Sequence, residues 1–147
     1  MADYTSIVSV RSYLPAGNRV DELTKPSLTE VLAWIAQSTG MANAALAQGN
    51  AVVPVVDPDT LIALDPLCGH WVVYQYFSAR GVTIDKNNPP TWADWDKQFQ
   101  DALALMRKGD WTAAVTDDGG PESYTMNAED DDTDDSLDPV FTRDRKF

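Results

Sequence analysis

Hydrophobic and polar residues along this chain fall into three helical blocks separated by irregular stretches. The clearest block opens at Ser27-Leu28-Thr29-Glu30, a capping box in which Ser27 accepts from the Glu30 amide and Glu30 reaches back. Apolar residues then recur at Leu28, Val31, Leu32, Ile35, Ala42 and Leu46, close to a 3.6-residue period, and Gly49-Asn50 supplies a stop. Gly40 weakens the middle of this helix by about 1 kcal/mol relative to alanine. A further block starts at Thr91-Trp92-Ala93-Asp94 with a capping pattern. It turns Trp92, Trp95, Phe99, Ala102, Leu103 and Met106 inward and ends at Arg107-Lys108-Gly109, with cations at the negative end of the helix dipole.

Between these two lies a block with two start signals, Asp57-Pro58 and Asp65-Pro66. Each is an acidic N-cap followed by proline at the first helical position. The reading is a short helical turn over residues 58–64 and a main helix from Pro66 to about Arg80. The alternative is one helix kinked at Pro66. Its stretch from Trp71 through Tyr74 to Phe77 is apolar nearly all round, so this helix is either the centre of a bundle or covered by a neighbouring subunit.

Two segments are less regular. Thr5–Leu14 suits a short helix with Ile7, Val10 and Leu14 inward, or a strand. Residues 48–57 read as extended, because β-branched residues favour that state and Pro54 blocks both a helix and a central strand. An exposed apolar loop such as Val52, Val53, Pro54 and Val55 is a natural contact for another chain. The expected fold is therefore mainly α: a small bundle of three to four helices over residues 1–112, an extended loop, and a long C-terminal arm over 113–147.

Charge sharpens this division. The net charge of −12 splits into −4 over residues 1–112 and −8 over 113–147. From Thr116 to Thr142 there are ten acidic residues and no basic one. Such a stretch cannot bury enough apolar surface to offset its ordering entropy, so it needs a partner to become ordered. It ends in Phe141, Thr142, Arg143, Asp144, Arg145, Lys146 and Phe147, a basic peptide flanked by aromatics. Aromatic residues and arginine are the commonest interface anchors, which makes this a docking peptide. The overall acidity disfavours ordinary DNA or RNA binding.

Candidate chemistry is sparse. Cys68 is the single cysteine and His70 the single histidine, and two residues apart on a helix they point to different faces. A packed thiol and a packed or interface histidine are expected, with no enzymatic role and no cofactor. The acidic pairs Asp57/Asp59 and Asp94/Asp96 suit helix starts better than catalysis. The run Asp130–Asp135 lacks the glycine and glutamate spacing of a calcium-binding loop, and no metal site is expected. Met1-Ala2-Asp3-Tyr4 has neither the basic start nor the apolar stretch of a secretory leader, and no run is long enough to span a membrane. Five tryptophans exceed what a small core needs, and Trp34 belongs at the edge of its apolar stripe.

In order, the chain shows Ser9-Val10-Arg11-Ser12-Tyr13-Leu14, a capped helix, the loop Val52-Val53-Pro54-Val55, then helices ending Tyr74-Gln75-Tyr76-Phe77-Ser78-Ala79-Arg80-Gly81 and Ala104-Leu105-Met106-Arg107-Lys108-Gly109. It closes with Pro139-Val140-Phe141-Thr142-Arg143-Asp144. This order resembles the small head–tail connector (adaptor, or neck) proteins of tailed bacteriophages, including the Mu-like branch, over residues 5–112 and the closing peptide. The acidic stretch from Asp117 to Asp138 departs from the family pattern. The resemblance implies a virion protein of the neck, assembled in the host cytoplasm, whose copies form a ring of twelve below the portal. Its partners would be the portal protein, a tail-side neck or tail terminator protein, and other copies of itself. Genomic DNA would pass through the channel without specific binding. A rival reading is an acidic DNA mimic that inhibits a host nucleic-acid-binding enzyme.

Overall fold

The structure, a computed structural model, describes residues 2–111. Residues 1–112 make one compact unit. The expected arm over 113–147 and the expected docking peptide, Phe141 to Phe147, lie outside the described residues. The described part is mainly helical, with α1 at Ile7–Tyr13, α2 at Leu28–Gln48, α3 at Pro58–Ala79 and α4 at Trp95–Lys108. A 3-10 turn at Thr91–Asp94 leads into α4.

The central element is α3, which packs against α1, α2 and α4. Leu64, Cys68, Trp71, Val72, Val73, Tyr76 and Phe77 are all buried along it. Burying a large apolar side chain contributes about 1.5–3 kcal/mol, so this helix carries much of the hydrophobic stabilisation. The other helices cover it with one face each: Val10 from α1, Val31, Ile35, Ala42, Ala45 and Leu46 from α2, Phe99, Ala102, Leu103 and Met106 from α4. The short segment at Thr5–Leu14 is thus a helix, capped by Ser6, whose side chain accepts from the Ser9 amide at 3.1 Å.

Three expectations need correction. The helix expected to restart at Pro66 runs unbroken from Pro58, the alternative of one helix through the proline. Asp57 caps it by accepting from the Thr60 amide at 2.9 Å. Asp65 does not cap, because its carboxylate accepts the Tyr13 hydroxyl of α1 at 2.9 Å. Pro66 leaves the Ile62 carbonyl without its usual donor, and Ile62 is 71% exposed, where water can supply one. Second, Leu32 points outward, 45% exposed, because Val31 and Ile35 already fill the inward stripe. Third, neither Thr91 nor Asp94 makes a side-chain capping bond, and the 3-10 turn replaces the expected cap.

Helices α2, α3 and α4 end alike. The amides of Ala51, Val82 and Asp110 donate to the carbonyls of Leu46, Phe77 and Leu105, and the residue before each donor is left-handed: Asn50, Gly81 and Gly109. This closure satisfies the terminal carbonyls from within the chain. Because Asn50 supplies the left-handed turn of α2, Gly49 serves a different purpose. A Cβ there would lie 2.0 Å from the Met106 carbonyl oxygen, so the ends of α2 and α4 meet backbone to backbone. Gly69 does the same for α1, since a Cβ would lie 2.6 Å from the Tyr13 ring. Gly40, by contrast, has open space around it on the exposed side of α2.

The two glycines of α2 should therefore respond in opposite directions. Gly40→Ala raises unfolding stability by about 1 kcal/mol through helix propensity. Gly49→Ala lowers it by about 1–3 kcal/mol through overpacking. Urea midpoints at unchanged slope measure both, and a Gly49→Ala domain as stable as the parent contradicts the close approach of α2 and α4.

Candidate functional site

The expected contact loop is extended and alternates. Val53 and Val55 turn towards the core, while Val52, Pro54 and Val56 turn out. Val52 is 87% and Val56 81% exposed; Leu23 and Val8 are comparably exposed elsewhere on the domain, and what distinguishes the loop is that its exposed valines lie near one another in sequence. One turn into α3, Ile62 adds a third exposed aliphatic side chain. The Val53–Pro54 peptide bond is cis. Exposed aspartates, Asp57 and Asp59, follow the loop directly.

Tyr4 holds the loop in place. Its buried ring lies in the core, its amide donates to Thr39 Oγ1 on α2 at 2.9 Å, and its hydroxyl donates to Asn43 Oδ1. The same hydroxyl accepts the Val55 amide at 2.9 Å. One phenol thus ties the N-terminal segment, α2 and the loop together. Nothing in the sequence periodicity marks Tyr4 for this task, because it stands alone before the first helix.

A second surface differs in character. From Val31 to Gln48, α2 carries no charged residue, and its outward positions include Leu32, Ala33, Ala36, Gln37, Gly40 and Ala44. An outward helical face without charge is unusual where nearly a quarter of the residues are charged.

The aromatic residues expected at either core or interface resolve towards the core. Trp71 and Phe77 are buried and Tyr74 is half-buried. Trp71 stacks near Phe99, with ring centroids 5.3 Å apart, and its Nε1 donates to Asp96 Oδ1 at 3.1 Å. That bond gives Asp96 a role beyond the helix start. Phe77 stacks on Trp92 at 4.6 Å. Trp34 is half-buried at the edge of the core.

Cys68 and His70 do not form a reactive pair. Cys68 is fully buried, and burial pushes its thiol up to about 12, far from the thiolate range that a nucleophile needs. His70 stacks on Trp95 with ring centroids 4.0 Å apart and meets the Tyr13 ring edge-on at 4.6 Å. Burial holds its pKa below 6.5, while the Asp65 charge pulls weakly the other way. Among the described residues no group of three or more acidic, histidine or cysteine side chains is placed to hold a metal ion. No described helix is long and apolar enough to cross a membrane.

Substitutions separate the core from the exposed loop. Trp71→Ala lowers stability by about 3–5 kcal/mol, the cost of emptying a large core site. The double change Val52→Asp with Val56→Asp leaves the melting temperature within the range of an ordinary surface substitution, about 0.5 kcal/mol per site. A large loss of stability in the loop variant means that the loop belongs to the core. His70 adds a pH dependence. Because the folded state disfavours its proton, its contribution is complete above about pH 6.5 and declines as pH falls towards the lowered folded value. Between about pH 7.5 and 5.5 the parent should therefore lose more stability than His70→Gln. Equal losses in denaturant titrations contradict the buried, neutral state of the imidazole.

Comparison with protein-family models, with curated proteins and with solved structures gives no match for this chain, so the reading of its surfaces rests on their own geometry.

Proposed function

We propose that this protein is a structural component of a tailed-bacteriophage virion. Its copies form a ring of twelve below the portal, extend the DNA channel and join head to tail. The observation that carries the reading is the pair Val52 and Val56, displayed on an extended loop that Tyr4 clamps to the domain. Exposed aliphatic side chains held in a fixed conformation suit a contact with another protein. A closed ring needs two different surfaces on each copy, because each subunit meets its neighbours head to tail. The loop and the uncharged face of α2 are two such surfaces on separate elements. The resemblance in element order to phage connector proteins supports the same reading.

In this role the segment 141–147 docks on the portal, and Phe141, Arg143, Arg145 and Phe147 are its anchors. A tail-side neck or tail terminator protein covers the opposite end of the ring. The channel passes genomic DNA without specific binding, since the net charge of the chain repels phosphate. Light scattering after size exclusion, with electron microscopy, tests the assembly. The protein alone should be monomeric or weakly associated at micromolar concentration, and rings should form with portal. Failure to associate with any virion component under both conditions overturns the reading.

Deleting residues 141–147 tests the anchor. The helical domain should keep its melting temperature, because none of its core is touched, while attachment to the portal is lost. Equal recovery of tailed, infectious particles from truncated and intact protein sinks the idea.

A further inference from the structure

Among the described residues the buried polar side chains are Thr5, Ser38 and Thr39, and all three border one seam. There residues 3–5, which precede α1, lie against α2 and α3. Thr39 Oγ1 accepts the Tyr4 amide at 2.9 Å, and a Cβ on Gly69 of α3 would lie 3.0 Å from Thr5 Oγ1. Cys68, next to that glycine, interacts through its thiol with the Ser38 hydroxyl, and the Asp3 charge reaches it. On the other side, the Tyr4 hydroxyl accepts the Val55 amide at 2.9 Å and fixes the loop 51–57.

This closure is built differently from the rest of the domain. Thr5 Oγ1 is buried without a hydrogen-bond partner, so the closed seam carries the desolvation cost of an unpaired hydroxyl. Opening returns that hydroxyl to water. Ser38 does not resist opening, because its hydroxyl already donates to the Ile35 carbonyl of its own helix at 2.8 Å. What resists is the buried Tyr4 ring, with its hydrogen bonds to Thr39, Asn43 and Val55. Downstream, α1 is fixed separately by buried Val10 and by the bond from Tyr13 to Asp65. Residues 3–5 thus have an anchored end from which to move while the packing around α3 stays in place. Segments held by few contacts open in this way, apart from global unfolding.

We propose that residues 3–5 are a latch that opens as a unit while the helices stay packed, and that its opening both frees the loop 51–57 and uncovers Cys68. The closed form turns Val53 and Val55 inward and displays Val52 and Val56. The Tyr4 hydroxyl carries the coupling, because it bonds to α2 through Asn43 and to the loop through Val55. A molecule that recognises the closed display holds the latch shut by linkage. The device belongs to the domain by itself and does not depend on assembly below a portal.

Because Cys68 is the single cysteine, its labelling reports the opening directly. The full chain is treated with methyl methanethiosulfonate, an uncharged thiol reagent, at fixed pH across a urea series. Hydrogen exchange of the Val55 amide is followed in parallel. Both should proceed through an opening that depends only weakly on urea, with a slope well below that of global unfolding. Tyr4→Phe keeps the ring and removes the hydroxyl bonds, and should speed both processes about tenfold. Thr5→Val removes the unpartnered hydroxyl at nearly constant shape and should slow both severalfold. Leu103→Val, in the core contribution of α4, lowers the global urea midpoint and should leave both rates as in the parent. Three results overturn the proposal: Cys68 labelling with the steep urea dependence of global unfolding, a response of only one probe to Tyr4→Phe, or acceleration by Leu103→Val in step with lost stability.

Discussion

A helix that is apolar on every side must be enclosed on every side, and this requirement on α3 organises the whole domain. From Leu64 to Phe77 its buried side chains turn in all directions, so no single partner helix can cover them. Each of α1, α2 and α4 contributes one apolar face, and the positions of those faces follow from where α3 must be covered. Close approach is what lets so few elements suffice. Gly69 admits the Tyr13 ring against α3, and Gly49 brings the backbones of α2 and α4 together. In a domain of this size the enclosing layer is one helix thick, which is why the outward faces of the same helices are the surfaces left for other molecules.

Much of this arrangement is legible in the sequence, and the parts that are not share a cause. Amphipathic helices α2 and α4 announce themselves, because a face that meets only one neighbour leaves a periodic trace. α3 leaves no such trace, and two equivalent start signals mark its N-terminal part in the sequence. Asp57 and Asp65 look alike in sequence. What separates them is Tyr13, 52 residues away, which takes the Asp65 carboxylate and removes it from capping. Leu32 is misassigned for a related reason: it sits beside the apolar stripe, and only the fit against α3 decides which of two adjacent residues turns in.

The candidate surfaces show the same division. Composition locates the apolar loop, yet Val52 to Val55 does not act as one unit. Alternation sends Val53 and Val55 inward and pairs Val52 with Val56 outside, and Ile62 joins them from the next helix. Tyr4 and Arg80 carry no pattern in sequence, since each acts on a segment distant along the chain. Local periodicity records which residues share a face, whereas clamps and grooves depend on contacts that only the folded chain defines.

The Tyr4 clamp bears on how readily the loop can be recognised. A flexible loop loses conformational freedom when a partner seizes it, and that loss subtracts from the affinity. Here the Val55 amide is already bonded to a phenol anchored in the core, and the Leu46 carbonyl holds Ala51 at the other end. Most of the ordering was completed when the domain folded. A partner that bound at Val52 and Val56 would therefore meet a loop already ordered at both ends, and would lose little affinity to ordering it.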